Sequence, residues 1–156
     1  MKKYWLHFKT ITTHKYYVLV ECFKRGLYWQ GIIHDLSKYS ITEFRESAKY
    51  FQGTRTPIGK IKEELGYSKA WLHHKGINKH HWEYWIDFYN GEMKPIKIPY
   101  KYIEEMSCDM IGAGKAYKKE NYNSEEPLNY FLDRKDNFIM EATSKNYLEL
   151  LLRENI

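Results

Sequence analysis

The chain has 156 residues, of which 43% are hydrophobic, and it carries a formal net charge of +5. A chain of this length can bury one core without disulfides, so we expect a single domain over residues 1–156. Its two cysteines form no CxxC pair, and no apolar run approaches the ~20 residues of a membrane-spanning helix. These features predict reduced cysteines, a cytoplasmic location and no membrane partner.

The first third of the sequence predicts helices. Apolar residues recur at helical spacing on both sides of the segment 11–22, which is typical of a central, buried helix, and Gly26 is expected to end it. Residues 27–38 are predicted to form a second helix or a turn. Thr42 is the expected N-cap of a third helix that runs to about Phe51.

The rest of the chain continues this pattern and predicts an all-α fold, a compact multi-helix bundle without strands. The predicted elements are a loop at 53–59, a short helix capped by Ser68 and ended by Gly76, a helix from Asn78 to Gly91, an extended linker at 93–100, a long helix at about 100–119, and helices at 124–134 and 138–153. The string GAGKAY in the long helix lacks the spacing of a phosphate loop. Its small residues therefore indicate close helix packing.

Ionisable residues lie at positions that this pattern predicts to be buried. His14 is on the apolar stripe of the first helix, Asp109 borders the buried side of the long helix, and His34 is followed directly by Asp35. Histidine pairs occur at 73–74 and 80–81. A carboxylate near a core is costly unless it is paired or binds a metal, and imidazole and carboxylate suit zinc, iron and manganese. The group indicates a metal site, with a buried hydrogen-bonded network or a structural zinc as the alternatives.

The order of these residues resembles that of the HD-domain superfamily, a helical metal-dependent phosphohydrolase fold with the motif H, HD, D. The segment HDLSK is similar to the HDxGK version of the motif, with Ser37 where glycine usually stands. The resemblance runs from His14 to Asp109. It implies that a primary divalent metal is held by four residues: His14, His34, Asp35 and Asp109.

In dinuclear members of that superfamily the aspartate of the HD pair bridges two ions. By this resemblance Asp35 would bridge, and His74 with one or both of His80 and His81 would hold the second ion. We favour His74 and His80. The extra histidines are closer in sequence here than in those members, so the expectation is one or two divalent ions.

The resemblance implies hydrolysis of a small phosphorylated substrate, with a nucleotide as one candidate. Asp35 and Lys38 are the expected catalytic residues, because Lys38 lies one helical turn after His34 and could reach a phosphate. Nucleic acid is a less favoured partner, since the lysines are spread along the chain. Two alternatives are a di-iron oxygenase of the same fold and a non-enzymatic module that binds a nucleotide or nucleic acid.

Overall fold

Eight α-helices and one two-stranded sheet form residues 2–156, the part of the chain that the computed structural model describes. The predicted helical fold is confirmed. The elements are α1 (Lys2–Lys24), α2 (Tyr28–Ile33), α3 (Ile41–Tyr50), α4 (Ile58–Leu65), α5 (Lys69–Ile77), β1 (Ile86–Tyr89), β2 (Glu92–Pro95), α6 (Tyr100–Lys118), α7 (Glu126–Asp133) and α8 (Ala142–Arg153). Short 3₁₀ turns occupy Leu36–Tyr39 and Trp82–Trp85. Between residues 2 and 156, no helix is long and apolar enough to cross a membrane.

The two longest helices, α1 and α6, pack closely against each other. A Cβ atom added to Gly112 on α6 would lie 2.5 Å from Val18 Cγ2 and 3.1 Å from the Val18 backbone nitrogen on α1. Only glycine permits this approach, which confirms that the GAGKAY string serves helix packing. His14 and Asp109 come from these same two helices, so the contact sets their separation.

Two clusters of buried side chains form the core. The larger one joins α6, α7 and α8 and includes Ile103, Phe131 and Leu148. The smaller one contains Val18, Leu27 and the two cysteines, Cys22 and Cys108, which are free thiols as expected. Both clusters pack against α6, so this helix is held firmly where it carries Asp109.

The predicted helix ends are partly confirmed. Ser68 caps α5 by accepting a hydrogen bond from the Trp71 amide at 3.1 Å, and Gly26 adopts a left-handed φ of 72° just after α1. The predicted cap of α3 was wrong, because Ser40 rather than Thr42 accepts from the Glu43 amide. Gly76 does not end α5, which continues to Ile77, and α4 was not predicted at all.

The predicted helix from Asn78 to Gly91 is wrong. Residues 82–85 form a 3₁₀ turn, and β1 and β2 then pair as an antiparallel hairpin in which Tyr89 lies opposite Glu92. The two residues between the strands, Asn90 and Gly91, both have positive φ, at 52° and 80°. An Asn-Gly pair at such a turn matches the twist of two strands, so the chain reverses there instead of ending a helix.

Candidate metal centre

The first group of site residues brings together the four positions of the H, HD, D motif. His14 projects from α1, His34 and Asp35 follow the end of α2, and Asp109 projects from α6. The His14 Nε2 atom lies 3.0 Å from Asp109 Oδ1 and 3.3 Å from Asp35 Oδ2. The His34 Nε2 atom lies 3.2 Å from the same Asp35 oxygen and 3.5 Å from Asp109 Oδ1. The four ligand atoms therefore surround one point, at distances that one metal ion could span.

A second group surrounds the other oxygen of Asp35. The His74 Nε2 atom from α5 lies 3.3 Å from Asp35 Oδ1, and the His80 Nε2 atom lies 3.4 Å from it. His81 belongs to the same group, since its ligand atom lies within 4.8 Å of the others. The structure thus brings both members of the second histidine pair to the site.

Asp35 stands between the two groups and faces each of them with one oxygen. Its side chain is buried, and its backbone lies in the left-handed region at φ 54°, which is uncommon for a residue other than glycine. Aspartate tolerates this conformation better than most residues. The unusual backbone directs the carboxylate into the bundle between α1, α5 and α6.

The ligand atoms of both groups have few other partners. Within residues 2–156, no hydrogen bond satisfies the Nε2 atoms of His14, His34, His80 and His81 or the two Asp35 oxygens. The Lys38 ammonium contacts Asp35 Oδ2 at 2.5 Å as an ion pair. Lys38 compensates that one oxygen. Leaving one buried polar group unsatisfied costs about 1–3 kcal/mol, so the remaining five atoms are unfavourable unless a cation binds there. This argues against the alternative of a hydrogen-bonded network.

Glu105 on α6 contacts one histidine of each group, through the ring nitrogen that does not face Asp35. Its Oε1 atom is hydrogen-bonded to His34 Nδ1 at 2.9 Å and lies 3.1 Å from His80 Nδ1. A neutral histidine that donates its Nδ1 proton to Glu105 keeps the lone pair of Nε2 for a metal. His34, His80 and Glu105 could also be read as a third ligand group. We favour the orienting role, because the Nε2 atoms of both histidines already face Asp35.

Glu43 on α3 has the same role for the second group. Its Oε2 atom accepts from His74 Nδ1 at 2.8 Å, and its Oε1 atom accepts from His73 Nδ1 at 2.7 Å. Asn78 and Ser37 also lie within hydrogen-bond distance of His74 Nδ1. His73 is thus beside the site without directing an atom at Asp35.

The charges of the site favour cation binding. Burial would raise the pKa of Asp35, but His34 and Lys38 outweigh it and hold that pKa well below the usual range. The pKa of Asp109 is also well below its usual range, since His14 and His34 outweigh the effect of burial. Burial and the neighbouring His80 lower the pKa of His81. Burial would lower the pKa values of His34 and His80, but the neighbouring carboxylates outweigh it and raise both above the usual value. The carboxylates are therefore ionised and His81 is neutral, whereas a metal must displace a proton from His34 and from His80 when it binds.

A cavity of about 460 Å³ opens onto the ligands. Lys38, His74 and Asp109 line its inner end, together with His14 and His81. The remaining wall is mostly apolar and comes from α1, the segment 54–58, α5, α6 and α7. The volume falls within the range of about 300–1,000 Å³ that is typical of small-molecule sites.

Two other lysines on the helices that carry site residues have structural partners. Lys15 donates to the backbone oxygens of Ile32 and His34, at 2.7 and 2.8 Å, and so caps the end of α2. Lys115 forms an ion pair with Glu21 at 2.6 Å. Lys38 is the lysine that contacts a ligand carboxylate.

Sequence reasoning missed the two orienting glutamates. Glu105 precedes Asp109 by four residues and so shares its helix face, a signal that was available from spacing. Glu43 lies in the first turn of α3, and no sequence pattern connects it with His73 and His74. It becomes visible only when α3 and α5 pack together.

The comparisons with known proteins add one assignment. No curated protein and no solved structure matches the chain. Residues 3–154 match the model of a "Family of unknown function (DUF5662)". Because this match covers nearly the whole chain, the protein belongs to the DUF5662 family.

Proposed function

We propose that the protein is a metal-dependent phosphohydrolase that acts on a small phosphorylated substrate. The observation that carries the proposal is the Asp35 carboxylate, whose two oxygens each face a separate group of histidine Nε2 atoms at the inner end of a cavity. The order of ligands along the chain, which resembles the HD-domain superfamily, supports the same function.

The donor atoms fit two divalent ions that share Asp35. The first would be held by His14, His34, Asp35 and Asp109, and the second by His74, His80, His81 and the other oxygen of Asp35. Such an ion lowers the pKa of its bound water from 15.7 towards ~7 and neutralises charge on a phosphoryl oxygen. With Asp35 shared, each ion would have four protein donors, so a bound water requires an ion that accepts more than four ligands, such as manganese.

The residues around the ligands have separable tasks. Glu105 and Glu43 orient the histidines and keep their Nε2 atoms available. Lys38 places a positive charge beside Asp35 while 29% of its side chain remains exposed on the cavity side. Burial opposes that charge, but Asp35 and Asp109 raise the pKa of Lys38 above its usual value and keep it protonated. The ammonium can then bind a phosphate oxygen and position the substrate.

Metal analysis combined with a phosphatase screen tests this function. Purified protein loaded with manganese, iron or zinc would be assayed against nucleotides, sugar phosphates and cyclic dinucleotides. Lys38→Ala should keep its metal and lower kcat/KM on the order of 10²-fold, because it removes a charge that stabilises the transition state. Lys69→Ala, an exposed lysine on α5, is the matched control and should be unchanged.

Three results would contradict the proposal. If the protein is fully loaded with metal and hydrolyses none of the phosphate esters, it is not a phosphohydrolase. Oxygen consumption after anaerobic iron loading would favour a di-iron oxygenase. Unchanged ligand affinity after removal of the metal would favour a non-enzymatic binding module.

A further inference from the structure

The net charge of the protein is concentrated at one place. Residues 2–25 contain six lysines and arginines and a single acidic residue, Glu21, whereas the rest of the chain has nineteen basic and nineteen acidic residues. The excess of +5 therefore belongs to α1 and the residue that follows it. Glu21 is itself buried and paired with Lys24 and Lys115, so it adds no negative charge to the surface.

The exposed side of α1 is also unusually apolar. One stripe along its length carries exposed side chains that share one face of the helix: Trp5, Phe8, Lys9, Thr12, Tyr16 and Phe23. Trp5 is 59% exposed, and Phe8 stacks on it with ring centroids 5.6 Å apart. The Lys9 ammonium lies 5.9 Å from the centre of the Trp5 ring. Exposed aromatic side chains and the Lys9 ammonium thus lie together on the surface of one helix.

The neighbouring segments extend this stripe into a broader face. Tyr39 packs edge-on against Phe8 and contacts the Thr12 hydroxyl at 3.1 Å, and Tyr28 on α2 packs against Phe23. From the same segments come further exposed apolar side chains: Trp29, Ile32, Ile33, Leu36 and Ile41. We call the combined surface formed by the exposed stripe of α1, the exposed side of α2 and the side chains of Leu36, Tyr39 and Ile41 the basic-aromatic face.

The basic-aromatic face lies away from the metal centre. His7, Ile11 and His14 point from the buried side of α1 towards the cavity, about half a turn around the helix from Trp5 and Tyr16. A partner on this face would leave the cavity open. The inference is therefore independent of the proposed function.

We propose that the basic-aromatic face binds the surface of an anionic lipid membrane. Aromatic and aliphatic side chains beside lysines suit the boundary between headgroups and acyl chains, where apolar burial and attraction to anionic lipids act together. Aliphatic side chains such as those of Ile32 and Ile41 offer no aromatic ring on which a base could stack. This disfavours single-stranded nucleic acid as the partner. A second copy would bring two faces of like charge together. No helix of residues 2–156 needs to cross the bilayer for such binding.

Co-sedimentation of the full-length protein with vesicles tests the proposal. The protein should sediment with mixed phosphatidylcholine–phosphatidylglycerol vesicles at low salt, and binding should weaken at high salt and with pure phosphatidylcholine. The variant Trp5→Ser/Phe8→Ser should lower the partition coefficient roughly tenfold or more, because two aromatic side chains no longer enter the boundary. Lys2→Glu/Lys9→Glu should produce a loss of similar size, roughly tenfold or more, through charge reversal.

Matched variants on other surfaces provide the controls. Leu150→Ser on α8 and Lys69→Glu on α5 change one exposed apolar and one exposed charged residue elsewhere, and should bind vesicles as the unmodified protein does. Helical circular dichroism and metal content should be the same in all variants. The proposal is overturned if the protein does not bind anionic vesicles at low salt, or if the two double variants of α1 bind them normally. It is also overturned if the protein binds single-stranded DNA but not vesicles, or if it forms a dimer that Trp5→Ser dissociates.

Discussion

Asp35 shows how one residue can define a site. It is a carboxylate with 1% exposure, a left-handed backbone and histidine nitrogens beside both of its oxygens. Unusual backbone conformations persist only when the surrounding structure enforces them, and they concentrate at functional sites. A role as a shared metal ligand between the two groups of histidines therefore explains the burial of Asp35 better than helix capping does.

The shared position of Asp35 predicts unequal effects of ligand substitutions. Asp35→Ala should remove both ions, since each group of ligands loses the Asp35 oxygen that faces it. His81→Gln should remove only the second ion, and His14→Gln only the first. Elemental analysis after saturation with manganese measures the remaining stoichiometry. If Asp35→Ala retains its metal, the assignment of Asp35 as a bridging ligand is wrong.

His7 predicts a specific dependence of stability on pH. Burial, and to a lesser extent the charge of Lys38, lower the pKa of His7 from 6.5 to about 4 in the folded protein. The unfolded chain takes up this proton at higher pH than the folded chain does, so stability decreases as the pH falls from 6.5 to about 4. The decrease contributed by His7 is at most about 3 kcal/mol.

Urea unfolding of the wild type and of His7→Gln across this pH range measures the contribution. Both proteins would be studied with a chelator present, so that metal binding does not contribute to the difference. The stability of His7→Gln should decrease less steeply towards low pH. Parallel curves for the two proteins would show that His7 is not held neutral by burial.

At the scale of elements, sequence reasoning identified the residues that the structure brings together better than the segments that carry them. His14 and Asp109 stand out because each is an ionisable residue on an apolar helix stripe, a contrast that is visible without coordinates. The hairpin was missed because Asn90-Gly91 is compatible with a helix end as well as with a turn between strands. His80 and His81 were thus placed on a helix, although the backbone of His81 is extended and a 3₁₀ turn follows.

Helix α6 carries Asp109, a proposed metal ligand, and Glu105, which contacts two further proposed ligands. A substitution of Glu105 should therefore affect metal binding, although Glu105 is not itself a proposed ligand. Glu105→Ala should weaken metal affinity roughly 10–100-fold, because His34 and His80 lose the acceptor that fixes their rings. Glu104→Ala is the matched control, since Glu104 accepts from Tyr147 at 2.9 Å on the side away from the site. Isothermal titration with zinc measures both. Equal affinities would show that Glu105 does not orient the ligands.

The close contact of α1 with α6 predicts a coupling between packing and ligand geometry. Gly112→Ala should lower the free energy of unfolding by about 1–3 kcal/mol, because the new methyl group meets Val18. It should also weaken metal binding, since His14 and Asp109 move apart. Denaturant titration and metal titration measure the two effects.

Gly76→Ala in α5 is the control for this substitution. No heavy atom lies within 4 Å of the added Cβ, so the change should be neutral or slightly stabilising. If Gly112→Ala has the same free energy of unfolding as Gly76→Ala, α1 and α6 pack less closely than the structure shows.

For the whole molecule, ligands from four separate segments predict that metal binding stabilises the fold. A metal at a hundred times its Kd adds ~2.7 kcal/mol for one site that only the folded chain offers, which raises Tm by several degrees for a protein of this size. Thermal melts with manganese and with a chelator measure the shift. Asp35→Ala should melt at the same temperature in both, and a shift that persists in this variant would place the binding elsewhere.

The wide spacing of the ligands also determines when a metal can first bind during folding. His14 and Asp109 are far apart in the chain and meet only after α1 and α6 have docked, whereas helices themselves form within about a microsecond. A partly folded chain offers only a few of the donor atoms and holds a cation weakly. We therefore predict that uptake of the proposed metal is a late event in refolding, which follows the docking of α1 with α6.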